Sequence, residues 1–232
     1  MSSKSGKSSL ISKLQKRLGY QFDNLKLLER ALTHTSAKKE RVGDYERLEF
    51  LGDRVLGLVV AEMLWDRFPK ESEGDLAKRH AHLVRGATVA EVALSVNLGQ
   101  VLRLSKGERD SGGQDNPHLL ADACEAVIAA IYIDGGFAEA RRVVSTLWEK
   151  QVASHKQPPR DSKTLLQEWV QAKGHGLPQY KLISREGPPH DPFFTIEVSI
   201  QGQQPSTGTG KSKRIAEQQA AKLMLEKVAS SG

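Results

Sequence analysis

Residues 45–60 read YERLEFLGDRVLGLVV, a stretch whose apolar side chains recur with the period of an α-helix. At about 100° per residue, Glu46, Glu49 and Asp53 fall within an arc of about 60°. The stretch therefore predicts a helix that presents three acids on one ridge and turns an apolar stripe toward a core. The residues of that stripe are Leu48, Leu51, Val55, Leu58 and Val59.

A solvated charged face is the simplest explanation of acids on a helix, but it does not account for two features of this helix. Gly52 and Gly57 lie in it although a helical glycine costs about 1 kcal/mol relative to alanine, which indicates that another element packs closely. Phe50 projects beside the acids rather than into the apolar stripe. A bound cation would account for the acids, and a partner chain would account for Phe50.

A second pair of acids lies in residues 120–134, which read LADACEAVIAAIYID. Asp122 and Glu125 are three residues apart on a helix that is otherwise apolar nearly all round, where unpaired carboxylates are costly. Ala126 and Ala129 continue the same face and allow a close approach to the glycine-bearing helix. Carboxylates on two facing helices predict a site for Mg²⁺ or Mn²⁺.

Together these motifs resemble those of the ribonuclease III family. Residues 46–53 read ERLEFLGD, which is similar to the family signature, and Asp122 with Glu125 resembles its second acidic motif. The resemblance runs from about Leu10 to Val228. It implies a metal-dependent endonuclease that cuts double-stranded RNA, with an all-α catalytic domain followed by an α+β domain that binds the duplex.

The resemblance also implies roles for individual acids. Glu46 would position phosphate or water, and Glu73, in a Glu-Gly-Asp turn, would help the metal site indirectly. The plainer explanation of Glu73 is an acid in the first turn of a helix, where it complements the helix dipole. Two-metal-assisted hydrolysis would leave 5′-phosphate and 3′-hydroxyl ends. The implied ligands of Mg²⁺, for which Mn²⁺ can substitute, are Glu49, Asp53, Asp122 and Glu125.

A homodimer is the assembly that the resemblance implies. Phe50 would enter a pocket of the second subunit, which explains its position beside the acids. A symmetric dimer presents two sites across the minor groove and so makes a staggered double cut. The expected physiological work is the processing of ribosomal, messenger and other structured RNA.

Length, charge and cysteine content bound the class of protein. The 232 residues suffice for one large or two modest domains, and a formal net charge of +6 favours a polyanionic partner. Cys124 is the single cysteine, which excludes a disulfide framework and a cysteine-based zinc site and predicts a core position. No apolar run approaches the ~18 residues of a membrane span, so we expect a cytoplasmic protein without a membrane partner.

Changes in composition divide the chain into four segments. The stretch SHKQPPR breaks every periodicity and predicts a linker. From Ser154 to Gly232 the chain holds 11 basic and 7 acidic residues, so its smaller part is the more basic. Within the first domain, Asp75 is expected to cap the helix 76–85, and the polar, glycine-rich residues 107–114 to form a loop. The predicted segments are a disordered tail at 1–9, a catalytic domain at 10–153, a linker at 154–160 and an RNA-binding domain at 161–229.

The C-terminal segment has a different periodicity. A helix around Leu166 precedes strand-like residues 180–185 and an alternating run at 194–200, a short third strand before Thr207 is expected, and a final helix would bury Leu223. This α-β-β-β-α order resembles a double-stranded-RNA-binding domain. The RNA contacts that it implies are Thr164, Gln167, Glu168, His190, Lys211, Ser212, Lys213 and Arg214.

Two rival functions can be compared with the sequence. A phosphate-binding loop for a nucleotide needs a glycine five residues before Gly210, where Pro205 stands, so no nucleotide cofactor is expected. A non-catalytic RNA binder that keeps the helical domain only for dimerisation would have no reason to hold four clustered acids. A cleavage assay on a long duplex, with EDTA as control, separates the enzyme from the binder.

Overall fold

A computed structural model of the chain describes residues 2–37, 44–154, 161–188 and 191–230. The chain divides into two compact units, Met1–Pro159 and Arg160–Gly232. The first unit is helical, and the second combines helices with a three-stranded sheet. The predicted fold class, an all-α domain followed by an α-β-β-β-α domain, is therefore confirmed.

Helices joined by short 3-10 turns make up the first unit. The α-helices are α1 (Ser2–Leu18), α2 (Leu25–Ala31), α3 (Asp44–Arg67), α4 (Glu73–Leu83), α5 (Gly86–Ser95), α6 (Lys106–Asp110) and α7 (Pro117–Ser154). The 3-10 turns are Thr35–Ala37, Leu98–Val101 and Gly113–Asp115.

Helices α3 and α7 pack against each other, and Gly52 sets their separation. A β-carbon on Gly52 would lie 1.8 Å from the backbone oxygen of Glu125, a space that no side chain can share. This contact confirms the expectation that another element packs closely against the glycine-bearing helix. Gly57 contacts a different neighbour, because a ring nitrogen of His80 lies 2.9 Å from its carbonyl oxygen.

The buried surface of α3 is broader than the predicted stripe. Leu58, which the periodicity places in the core, is 59% exposed. Leu56 and Val60, which lie outside the predicted stripe, are fully buried. The reason is that α3 contacts α2 and α4 as well as α7. Its buried face is therefore both wider than the predicted stripe and rotated away from it.

The predicted disordered tail over residues 1–9 is wrong for most of its length, since α1 begins at Ser2. Leu14 and Leu18 hold the later turns of this helix in the core. No proline interrupts the preceding residues, so the helix continues toward the N-terminus from that anchored part.

Serine caps account for two further differences from the sequence predictions. Ser72 accepts a hydrogen bond from the backbone N–H of Asp75, so Ser72 rather than Asp75 caps α4. Ser105 accepts one from the N–H of Glu108 and begins α6, which extends into the segment 107–114 predicted to be a loop. The cap satisfies an N–H group that would otherwise lack a partner, which offsets the weak helix preference of this segment.

A kink divides α7 at Gly136, whose φ of 78° favours glycine. Two residues earlier, the carboxylate of Asp134 accepts a hydrogen bond from the Tyr20 hydroxyl at 2.8 Å. It also accepts hydrogen bonds from the backbone N–H groups of Asp23 and Asn24 at 2.9 and 3.0 Å. Asp134 thereby joins the kink to the chain that enters α2.

The second unit places two helices on one antiparallel sheet. Its elements are α8 (Ser162–Ala172), β1 (Gln179–Glu186), β2 (Phe193–Ser199), β3 (Ser206–Gly210) and α9 (Lys213–Ser230). The strand order is β1-β2-β3, with Tyr180 opposite Val198 and Val198 opposite Ser206. In the part of the chain that is described, no helix is both long and apolar enough to span a membrane.

Two details of the second unit correct the sequence predictions. The third strand includes Thr207 and Gly208 instead of ending before them. A β-carbon on Gly208 would lie 2.1 Å from the backbone nitrogen of Ala220, so the glycine lets α9 pack directly on the strand. Leu223 is 39% exposed rather than buried, because it lies at the edge of the buried face of α9.

Candidate metal centre and nucleic-acid interface

Three carboxylates from two helices meet where α3 and α7 approach most closely. Glu49 comes from α3, and Asp122 and Glu125 come from α7. One ligand atom of each lies within 4.8 Å of the others, which is close enough for the three to share one cation. The contact at Gly52 brings the helices near enough for this, since the backbone atom that faces Gly52 belongs to Glu125.

The pKa values of these carboxyl groups are raised, because nearby positive charge does not offset their burial. Burial, together with neighbouring carboxylates, raises the pKa of Glu125 to about 8. Burial also raises the pKa of Glu49 and that of Asp122. A hard divalent cation prefers anionic oxygen ligands and would remove this repulsion, so the residues present fit a metal site.

Asp53, the fourth predicted ligand, lies beside the cluster but outside the group of three. Its carboxylate is ion-paired with the guanidinium of Arg54, its neighbour in the sequence. The negative charge of Asp53 still acts on Glu125, where it contributes to the raised pKa. The structure therefore brings three of the four predicted ligands together and turns the fourth toward an arginine.

Glu46 and Glu73 are also separate from the three-acid group. Glu46 is exposed on α3, and its charge contributes to the raised pKa of Glu49. Glu73 is the exposed first residue of α4, following the Ser72 cap. Neither carboxylate belongs to the group that could share a cation among the described residues.

Sequence reasoning missed the residues that surround Asp122. His118 and His34 lie near Asp122 and act to lower its pKa, against the effect of burial. Tyr45, one residue before the acidic ridge, is buried, and its ring meets that of His34 edge-on at 5.4 Å. An aromatic residue in the first turn of the acid-bearing helix was the available signal.

Cys124 is buried as predicted, and burial raises its pKa to about 12.

An exposed stripe runs along α3 beside the metal centre. Phe50 is 62% exposed and Trp65 is 72% exposed, unusually high values for large apolar side chains. The guanidinium of Arg54 lies 4.4 Å from the centre of the Phe50 ring. The residues of this stripe, which share an arc of about 80°, are Phe50, Arg54, Leu58, Ala61 and Trp65.

The described residues of the second unit that are predicted to contact RNA lie on α8 and around the start of α9. Thr164, Gln167 and Glu168 are exposed on α8. The hydroxyl of Ser212 accepts a hydrogen bond from the backbone N–H of Ile215 at 3.2 Å at the start of α9. Such a helix start presents N–H groups and favours anions.

Three basic residues surround that helix start. Lys213 and Arg214 are exposed in the first turn of α9. Lys211 forms an ion pair with Asp191 at 3.0 Å, and both side chains are largely exposed. His190, the remaining predicted contact, lies outside the described residues.

Each of the two units matches a known protein family. Residues 24–151 match the family model described as Ribonuclease-III-like, and residues 162–228 match the model of the double-stranded RNA binding motif. Ribonuclease 3 of Anaplasma marginale (strain Florida) is 50% identical over 224 residues, which covers 96% of each chain. Ribonuclease 3 of Caulobacter vibrioides (strain NA1000 / CB15N) is 48% identical and covers 94% of this chain and 95% of its own.

A solved structure extends the comparison to three dimensions. The nuclease domain of ribonuclease III from Campylobacter jejuni is 46% identical, with a TM-score of 0.58. The match covers 60% of this chain and 96% of that one, and that structure concerns a region involved in dimer formation. A helical unit with clustered carboxylates, followed by a unit that binds duplex RNA, defines a double-stranded-RNA endonuclease. The chain belongs to the ribonuclease III family, and its function is that of an endoribonuclease acting on double-stranded RNA.

Proposed function

We propose that hydrolysis by this endoribonuclease depends on Mg²⁺, which Mn²⁺ can replace. The observation that carries the proposal is the group of three carboxylates within 4.8 Å, in which burial and neighbouring carboxylates raise the pKa of Glu125 to about 8. A bound divalent cation would stabilise developing charge and activate a water molecule for attack on phosphate. The residues that would hold it are Glu49, Asp53, Asp122 and Glu125.

Asp53 joins the other ligands by exchanging its ion pair with Arg54 for the cation. Both side chains are partly exposed, so the exchange needs no change in the core. An exposed ion pair contributes little to stability, which keeps the cost of breaking it low. Glu46 positions phosphate or water from the neighbouring turn of α3, and Glu73 supports the centre from the start of α4. The products are RNA ends with 5′-phosphate and 3′-hydroxyl groups.

The active assembly that we propose is a homodimer formed through the α3 stripe. The stripe exposes large apolar side chains beside the metal centre, and Phe50 is the residue proposed to enter the second subunit. Dimer formation by the nuclease domain of the Campylobacter jejuni relative supports the same assembly. Two symmetric centres would cut the two RNA strands with a stagger.

The second unit is proposed to bind the duplex through α8 and the start of α9. Exposed polar side chains of α8 suit the 2′-hydroxyl groups of a minor groove, and the basic start of α9 suits phosphates. The residues assigned to these contacts are Thr164, Gln167, Glu168, His190, Lys211, Ser212, Lys213 and Arg214.

The matched family segments support the division of the chain into a catalytic domain at 10–153, a linker at 154–160 and an RNA-binding domain at 161–229. Processing of ribosomal, messenger and other structured RNA in the cytoplasm is the proposed physiological work. It rests on the class of substrate that the RNA-binding motif defines.

A cleavage assay on a long RNA duplex tests the proposed chemistry. We expect cleavage with Mg²⁺ or Mn²⁺ and none with EDTA, while binding to the duplex persists in all three conditions. Mass analysis of the products should find 5′-phosphate and 3′-hydroxyl ends. Binding without cleavage at any cation concentration would instead favour the non-catalytic RNA binder.

A further inference from the structure

The hydroxyl of Tyr45 is a buried polar group that has no hydrogen-bond partner among the described residues. Tyr45 lies in the first turn of α3 and is 4% exposed. Its oxygen is inaccessible to solvent, and across the described residues no group hydrogen-bonds to it. Buried tyrosine hydroxyls usually find a partner, so an orphaned one calls for an explanation such as a bound ion or water.

The groups around Tyr45 indicate where a hydrogen-bond partner of its hydroxyl would lie. Its ring is held edge-on against His34 at 5.4 Å. The negative charges that act on its phenol are those of Asp122, Glu49, Glu125 and Glu46, with Asp122 first among them. The buried hydroxyl therefore lies close enough to the metal centre for the charges of its carboxylates to act on it.

The chemistry of the phenol restricts it to one role there. Burial and the neighbouring carboxylates raise its pKa well above the ordinary value, so it stays protonated. A protonated phenol next to carboxylates donates a hydrogen bond, and a carboxylate that binds a cation through one oxygen keeps a second oxygen free to accept it. Carboxylate ligands of metals are generally oriented by donors of this kind.

We propose that Tyr45 is the buried hydrogen-bond donor that orients Asp122 when a divalent cation occupies the centre. This inference rests on the proposed function, because it assigns a positioning residue to the same metal site. Among the described residues, no carboxylate oxygen hydrogen-bonds to the phenol. With a cation, the carboxylates are drawn together and the Asp122 oxygen comes within reach of the hydroxyl.

Tyr45→Phe in the full-length protein isolates the hydroxyl, because the ring and its packing remain. In EDTA we expect the thermal midpoint to stay the same or rise, since the variant loses only an unpaired polar group. Mn²⁺ binding, followed by electron paramagnetic resonance, should weaken by about 10-fold, the lower end of the effect of removing such a supporting partner. The rise in thermal midpoint on adding Mg²⁺ should shrink accordingly.

Tyr20→Phe is the matched control, because Tyr20 is another buried tyrosine that faces an aspartate. Its hydroxyl donates to Asp134 at 2.8 Å, so its loss should lower the thermal midpoint equally with and without cation. Its Mn²⁺ affinity should equal that of the wild type.

Three results would overturn the proposal, the first two by giving the hydroxyl a structural role and the third by removing the metal centre. If wild type and Tyr45→Phe bind Mn²⁺ equally well, or if Tyr45→Phe loses the same stability with and without cation, the hydroxyl has only a structural role. If the wild type itself shows no Mn²⁺ bound at millimolar concentration, the metal centre of the proposed function fails, and the role of Tyr45 fails with it.

Discussion

Glu125 contributes to the metal centre with both its backbone and its side chain. Its backbone oxygen faces Gly52 at the helix crossing, and its side chain belongs to the carboxylate group. Burial in that position raises its pKa to about 8, so near neutral pH without a cation it holds a proton. Cation binding must displace that proton, which makes Glu125 the residue whose charge most directly tests the proposed chemistry.

Glu125→Gln keeps the shape of this side chain and removes its negative charge. We expect cleavage at low Mg²⁺ to fall by about 100-fold or more, because a cation contributes several kcal/mol of transition-state stabilisation. High Mn²⁺ should restore part of the activity. Gel-shift affinity for the duplex should change little, because binding depends mainly on phosphate contacts. Glu91→Gln, at an exposed position of α5, is the control, and a joint loss of cleavage and binding at Glu125 would contradict its role as a ligand.

The same variant shows how the Glu125 pKa acts on stability. Its value of about 8 in the folded state exceeds the ordinary 4.5, so the folded protein binds more protons than the unfolded chain between these values. The stabilising contribution is complete below the ordinary pKa and is lost as the pH rises toward about 8. Urea unfolding in EDTA should therefore show a flatter pH dependence for Glu125→Gln. Identical slopes for variant and wild type would show that burial does not perturb this carboxyl group.

At the scale of elements, the crossing of α3 and α7 forms the site. Gly52→Ala would place a β-carbon 1.8 Å from the Glu125 oxygen and force the helices apart. We expect a loss of about 1–3 kcal/mol in the free energy of unfolding, measured by urea in EDTA, because overpacked cores are destabilised by such amounts. Gly57→Ala is the matched control, since its β-carbon would meet the His80 ring at an ordinary 3.7 Å. The control should gain up to about 1 kcal/mol, and equal effects at both positions would contradict this account.

The exposed stripe of α3, which begins at Phe50, is the second feature of this helix that a substitution can test. Phe50→Ala should raise the dimer dissociation constant by about 100-fold or more, because each subunit would lose a buried ring contributing about 1.5–3 kcal/mol. Sedimentation equilibrium measures this change directly. Leu94→Ala, which removes an exposed apolar side chain of α5 outside the stripe, should leave the dimer intact. A wild-type monomer at micromolar concentration would refute the proposed assembly.

At the scale of the whole molecule, each of the two units has its own core. The helical core includes Leu56 and Ile128, and the core of the second unit includes Leu166 and Val198. A chain that ends at Ser154 should therefore still fold and dimerise, yet lose most of its affinity for duplex RNA. The slope of log affinity against log salt should fall by about one for each phosphate that the shortened chain no longer neutralises. Equal affinity of the shortened and complete chains would show that the second unit does not bind the duplex.

Local patterns in the sequence are enough to establish the class of the protein and the order of its domains. The helical period of residues 45–60, the acids at 122 and 125 and the alternation of residues 194–200 are properties of neighbouring residues, so they can be recognised without coordinates. The same local rules predict correctly that Cys124 is buried. They fail at the serine caps of α4 and α6, because a single side-chain hydrogen bond decides where those helices begin.

Which side chains meet is a property of the tertiary packing. Glu49 reaches the acids of α7 because Gly52 permits a close crossing, whereas Asp53, one turn further along, pairs with Arg54. The burial of the Tyr45 hydroxyl without a hydrogen-bond partner among the described residues is likewise visible only in the fold. Distances between helices depend on the packing of residues far apart in the chain, and the periodicity of one helix does not contain that information.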